Sequence, residues 1–201
     1  MDIILSTTNP SKAEQIKAMF KNPAISVQTI AEAGIEGEAV EDGETLQENA
    51  LKKARFAHEH NAGKSWTMAD DTGIFINALN GEPGIKSARW AGENKKTEEI
   101  TAYCLEKMKN QNDRSAYFET VVALINPEGK EYFFTGKVNG RLREKPSEKI
   151  QPKMPYSPLF MPDGSDKTWS EMTIEEENAV SHRGKAFRQV VEFLENINKT
   201  K

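Results

Sequence analysis

Two long runs in the middle of the chain, "SAYFETVVALI" (115–125) and "KEYFFTGKV" (130–138), are joined by Pro127-Glu128-Gly129. Both are rich in aromatic and β-branched residues, and a short Pro/Gly connection between such runs signals a β-hairpin. A hairpin puts an antiparallel pair into whatever sheet the chain builds. The remaining segments alternate short strand patterns with helical ones. Together they predict an α/β fold with an elongated mixed sheet flanked by helices.

The other elements follow from apolar spacing. "DIILST" (2–7) reads as a short buried strand. Ser11 to Lys21 reads as a helix with Ala13, Ile16 and Phe20 on one face, opened by a Ser11/Glu14 capping box. Glu44 to Asn61 reads as a second helix, with Leu46, Ala50, Ala54 and Ala57 aligned. "KSWTMA" and "GIFINAL" read as two strands on either side of Asp70 and Asp71. Thr97 to Lys109 is a third helix, with Ile100, Tyr103, Cys104 and Met108 as its stripe. Pro146 to Gly164 reads as a loop, Thr173 and Glu176 form a capping box, and a last helix runs from about Lys185 to Asn196. With no repeat or clean linker, residues 1–201 read as a single domain. The hairpin region, about 114–140, is expected to form part of a second lobe.

Bulk properties narrow the partners. The longest clearly apolar run, Val121 to Ile125, is far too short for a bilayer, so no membrane partner is expected. Met1-Asp2 begins no basic-then-apolar leader, and one cysteine, Cys104, permits no disulfide within the chain; both fit a cytoplasmic protein. A net charge of -4 argues against a nucleic-acid partner but leaves room for a small anion at a local basic cluster. With three histidines and one cysteine, a structural zinc site is disfavoured, and any metal is expected to be hard and oxygen-bound.

Four stretches carry polar chemistry. "STTNPSK" (6–12) lies between a strand and a capped helix, where free N–H groups and the helix dipole favour a phosphate. Thr7, Thr8, Asn9 and Ser11 add donors and Lys12 adds a charge; the plain alternative is an ordinary turn. In "EDGETLQENALKKA" (41–54), Glu44 reads as a capping acid and Glu48/Lys52 as an exposed pair, while Asn49 and Lys53 sit one turn apart and can share a ligand. In "MADDTGIFINALNGEPGIKSARWAG" (68–92), adjacent Asp70 and Asp71 precede Thr72-Gly73. Either they close the strand as an Asx turn, or Asp71 joins Glu41 as a Mg²⁺ pair and activates water. In "SHRGKAFR" (181–188), Ser181 caps a helix; Arg183 is either a surface charge or part of a polar fork reading a base or phosphate.

In this order, "TTNPSK", "EDGETLQENALKKA", "ADDTGIFINALNGEPGIKSARWAG" and "SHRGKA" closely resemble the inosine triphosphate pyrophosphatase family, over nearly the whole chain. The resemblance implies two lobes around a long mixed sheet with a central nucleotide cleft, and a homodimer. It implies Mg²⁺-dependent hydrolysis of purine nucleoside triphosphates such as ITP, dITP and XTP to the monophosphate and pyrophosphate. By the same resemblance, Thr7 to Lys12 form the phosphate loop, Glu41 and Asp71 hold the metal, and Asp71 is also the base. Lys53 is a phosphate ligand in the catalytic set, Asp70 orients Asp71, and Thr72 stands where the family has a substrate-contacting serine. His182 and Arg183 correspond to base-recognition residues.

The chain departs from the pattern at the base pocket. The family's Phe-Gly-Tyr-Asp-Pro run in the base pocket is here Met154-Pro155-Tyr156-Ser157-Pro158, and a lysine before "SHR" is here Glu177. An ionised Glu177 accepts where lysine donates. Either Glu177 faces solvent and specificity is retained, or Met154, Ser157 and Glu177 shift it toward another modified purine or toward pyrimidines, as in the related Maf-like pyrophosphatases. A non-hydrolysing nucleotide-binding protein is the third reading. The loop with Arg89 serves either substrate closure or a subunit contact.

Overall fold

The computed structural model describes residues 1–199. Seven strands form one mixed sheet: β1 (Asp2–Leu5), β2 (Ser26–Thr29), β3 (Trp66–Ile76), β4 (Pro83–Gly84), β5 (Ser115–Ile125), β6 (Glu131–Leu142) and β7 (Phe160–Pro162). Their order is β2-β1-β3-β5-β6-β7, with β4 pairing only with β3. The β1–β2 and β1–β3 ladders are parallel and the others antiparallel. The helices are α1 (Pro10–Lys17), α2 (Leu46–His60), α3 (Thr97–Lys107), α4 (Ile174–Val180) and α5 (His182–Lys199). The hairpin read from residues 115–138 is β5–β6, in unbroken register from Ser115↔Arg141 to Ile125↔Glu131.

The largest difference from the sequence reading lies at the two aspartates. "KSWTMA" and "GIFINAL" are one strand, β3, and Asp70 and Asp71 sit in its middle rather than in a turn. A strand sends successive side chains to opposite faces. Met68, Asp70, Thr72 and Ile74 therefore share one face, and Ala69 and Asp71 the other. On the first face, Met68 packs with Ile16 of α1 and Phe187 and Val190 of α5. Further along, Ile74 and Ile76 join a second cluster with Phe118, Phe160 and Trp169. Asp70 and Thr72 are the polar step between these two clusters. On the other face, Ala50 and Ala54 of α2 lie against Ala69 and Ala123, so the small residues let the helix approach closely.

Local differences have local causes. The cap of α1 is Asn9, not Ser11: Pro10 suits the first helical position, and Lys12 N–H donates to Asn9 Oδ1 at 3.2 Å. That helix ends at Lys17, four residues short of Lys21. The cap of α2 is Thr45, so Glu44 lies outside the helix; Glu48 accepts from Glu44 N–H at 2.7 Å, and Lys52 pairs with Asp42 instead of Glu48. The 146–164 loop contains β7, which covers the far end of β6. The last helix starts at His182, with Ser181 Oγ accepting from Gly184 N–H at 3.0 Å.

Two glycines are required by close approach. A Cβ on Gly184 would stand 1.9 Å from Asn178 O of α4, and one on Gly136 of β6 would stand 2.0 Å from His182 O. The α4–α5 corner and the first turn of α5 are thus seated directly on backbone.

Candidate active site

The parallel β1 covers β3 only at Trp66–Met68, and β4 covers it only at Ile74 and Phe75. Between them, residues 69–73 have no strand on that edge among the described residues. The chain leaves β1 toward β2 on one side and returns to β3 on the other. Ligands of α/β sheets gather at such a reversal, beyond the carboxyl ends of the strands. A cavity of about 440 Å³ opens there, with the 6–12 loop, Asp70, Asp71 and Lys53 in its wall.

Each aspartate meets its own cations. Asp70 Oδ2 accepts from Lys12 Nζ at 3.1 Å, and Arg183 Nε stands 3.5 Å away. Burial alone would raise this carboxyl, but Lys12, Arg183 and Lys53 outweigh it and hold Asp70 well below the usual carboxylate range. Its other oxygen, Oδ1, is buried with no protein partner among the described residues. Thr72 Oγ1 donates to Asp70 Oδ2 at 3.1 Å and accepts from Thr120 Oγ1 at 2.6 Å. On the opposite face, Lys53 Nζ donates to Asp71 Oδ1 at 2.8 Å and lies 3.3 Å from Glu41 Oε2. Burial raises the Asp71 carboxyl against the pull of Lys53. Burial would lower the Lys53 ammonium, yet Asp71 and Glu41 raise it. The Asn49 amide also faces Asp71, at 3.5 Å.

The two carboxylates, Glu41 and Asp71, thus converge on one ammonium. Among the described residues no three His, Cys, Asp or Glu side chains form a self-sufficient cation cage. An all-oxygen pair of carboxylates fits Mg²⁺, which characteristically keeps water and takes further ligands from substrate phosphates.

The other end of the cavity is aromatic. His182 stacks on Phe118 at 4.8 Å and lies 4.6 Å from Trp169. Both its ring nitrogens are buried without a protein partner, and burial keeps the ring neutral by pushing its pKa well below 6.5. Glu177 is 3% exposed and lines the cavity; burial raises its carboxyl, and Gln151 Nε2 donates to it at 3.2 Å. Arg183 Nη1 donates to Gln15 Oε1 at 2.7 Å. Tyr156 Oη donates to Ser87 O at 2.8 Å, and Met154 and Ser157 complete this wall.

A model of the Ham1 family matches residues 3–193. The chain belongs to the Ham1 family. A protein named dITP/XTP pyrophosphatase from Thermoanaerobacter pseudethanolicus is 39% identical over 196 residues, 96% of each chain. One of the same name from Christiangramia forsetii is 36% identical over 96% of this chain and 99% of its own. Of solved structures, the Staphylococcus aureus Ham1 protein superposes with a TM-score of 0.83 at 34% identity, covering 98% of this chain and 99% of that one. A HAM1 protein from Coxiella burnetii gives 0.84 at 32%, with the same coverage. This Ham1-family chain is an enzyme, a hydrolase.

In the Ham1-family chain, Thr7, Thr8, Asn9, Lys12, Glu41, Lys53, Asp70, Asp71 and Thr72 all border the cavity, as do Met154, Tyr156, Ser157, Glu177, His182 and Arg183. Ser11 does not: its hydroxyl donates to Pro152 O at 3.0 Å, outside the cavity wall. Glu177 does not face solvent, and Arg183, 2% exposed, is no surface charge. Sequence reasoning missed Lys153, Gln15, Phe118 and Trp169. Phe118 alone had a signal: with the β3–β5 register known, period-two alternation puts it on the Asp70 face.

Proposed function

We propose that this chain hydrolyses non-standard purine nucleoside triphosphates (ITP, dITP and XTP) to the monophosphate and pyrophosphate with Mg²⁺, clearing them from the nucleotide pool. The observation that carries this reading is the Glu41–Lys53–Asp71 group, set across β3 from Lys12 at one end of a cavity whose other end is aromatic. A triphosphate carries about four negative charges near neutral pH and needs cations and free N–H groups at one end and a base platform at the other. The names of the full-length relatives agree with it.

Lys12 and the N-terminus of α1 take the phosphate tail. Glu41 and Asp71 would hold Mg²⁺, which when bound neutralises phosphate charge and polarises the phosphoryl group. Asp71, whose carboxyl burial raises, accepts the proton of the attacking water while the anhydride bond between the α and β phosphates breaks. Lys53 turns its ammonium to the charge that develops on the departing pyrophosphate. Asp70 is a positioning residue: it fixes Lys12 and Arg183 and, through them, the two ends of the cavity. His182 and Arg183 read the base edge beside Phe118 and Trp169. A homodimer in the cytoplasm belongs to the same reading, and light scattering of the purified protein checks the assembly.

A second reading keeps this chemistry and shifts the base. Glu177, buried in the cavity wall, accepts hydrogen bonds when ionised and so favours a base edge that presents an amino group. Pyrophosphate release from ITP, dITP, XTP and the ordinary nucleotides, with Mg²⁺, decides. Release fastest with ITP or XTP supports the first reading, and release fastest with an amino-bearing base supports the second. Nucleotide binding without release would overturn both.

A further inference from the structure

Lys153 is a non-glycine residue held in the left-handed region, with φ 57°. Such a backbone is unfavourable for a residue with a Cβ and persists where something else fixes it. Here the fixing contacts are made by backbone atoms. Lys153 O accepts from Asn9 Nδ2 at 3.2 Å, and Lys153 N–H donates to Thr97 Oγ1 at 3.2 Å. The neighbouring Pro152 O accepts from Ser11. A glycine would keep all of these at lower conformational cost. What lysine adds is its ammonium, which donates to Thr8 O at 3.2 Å within the wall of the cavity.

That ammonium differs from the two lysines already placed. Lys12 faces Asp70, and Lys53 faces Asp71 and Glu41, so both are matched by carboxylates. Among the described residues Lys153 pairs with no carboxylate. An ammonium has three donors, and the Thr8 carbonyl takes one. The remaining two are available beside Thr7, Thr8 and Asn9, where an anion would lie.

We propose that Lys153 is a direct ligand of the substrate's phosphate tail. The proposal deepens the triphosphate reading and rests on it. Met154, Tyr156 and Ser157 follow in the same loop, so one stretch of five residues reaches both the phosphate end and the aromatic end of the cavity. Through it, a base in place brings a cation to the phosphates.

The test uses the full chain with Lys153→Met, Lys153→Gly and Lys153→Arg. Binding of inorganic tripolyphosphate with Mg²⁺ is measured by calorimetry, alongside KM and kcat for ITP. Loss of a charge-assisted hydrogen bond should weaken tripolyphosphate binding and raise KM about tenfold in the Met and Gly variants, with kcat nearly unchanged. Lys153→Arg should restore most of both. Lys153→Gly should melt no lower than the parent, which separates lost charge from lost fold. Tripolyphosphate binding by Lys153→Met as tight as the parent's would overturn the proposal, as would a parent that binds no tripolyphosphate. A parent that binds it through Lys153 but hydrolyses no nucleotide leaves this assignment standing and removes the pyrophosphatase reading instead.

Discussion

Asp70 faces two cations on one side of β3, Lys12 at 3.1 Å and Arg183 at 3.5 Å, while its neighbour Asp71 faces Lys53 and the Asn49 amide on the other. Two adjacent carboxylates would repel in a turn. In a strand they are turned away from each other, and each finds its own counter-charge, so the pair needs no metal to be tolerated. The difference between them is what surrounds each charge. Asp70 is outnumbered by cations and held ionised, with Thr72 donating to it as well. Asp71 shares one ammonium with Glu41, and burial raises it. The same residue type thus ties elements together on one face and, on the proposed reading, supplies the base on the other.

The comparison can be broken most easily by exchanging the two losses. Asp71→Asn should lower pyrophosphate release from ITP about a thousandfold while the thermal midpoint stays near the parent's, because Lys53 keeps Glu41. Asp70→Asn should do the opposite first. It leaves the buried Arg183 and the half-buried Lys12 without this charge partner and should cost about 3 kcal/mol in urea unfolding. A stable Asp70→Asn or an unfolded Asp71→Asn would show the roles reversed.

A smaller effect sharpens the Asp70 face. His182 stands against Phe118 and Trp169; Arg183 and Lys12 disfavour its charge and Asp70 favours it. Its folded pKa lies below the unfolded one, so the unfolded chain gains the proton first. Stability is then retained above about pH 6.5 and falls below it, by about 1.4 kcal/mol per pH unit. Chemical unfolding between pH 7 and 5 should show this slope in the parent and a flatter one in His182→Gln. The smallest expected effect is Thr72→Val, which removes the Thr120–Thr72–Asp70 hydroxyl chain and should cost about 1 kcal/mol in the same measurement.

Much of this architecture was legible because it rests on periodicity. The β5–β6 hairpin and the alanine face of α2 follow from spacing, and the strand bounds 115–125 coincide with β5. The polar site was legible as four stretches in order, though not as a geometry. Asp70-Asp71-Thr72-Gly73 has the composition of a turn, and only the cations supplied by α1, α2 and α5 make it a strand interior. Glu48 and Lys52 have ideal helix spacing, yet Asp42 lies closer to the lysine. The base end was least legible. Residues 145–172 carry little regular structure, so the arrival of Trp169 and Lys153 at the cavity has no period to announce it, while Glu177 turns inward from the regular helix α4 as a charged residue on a buried face.

Gly136 and Gly184 carry a consequence for how such a site can change over generations. Any side chain at either position collides with a carbonyl, so the backbone of His182 and Arg183 cannot be re-aimed by small steps. The 153–157 stretch holds no glycine pressed against a carbonyl: its Lys153 already departs from the conformation side chains prefer, and it meets the 6–12 loop through the Lys153 carbonyl and ammonium. On the proposed reading, a lineage adapting to a new base would therefore accumulate its substitutions at 153–155, and a library randomised there leaves the buried Tyr156 and Ser157 in place.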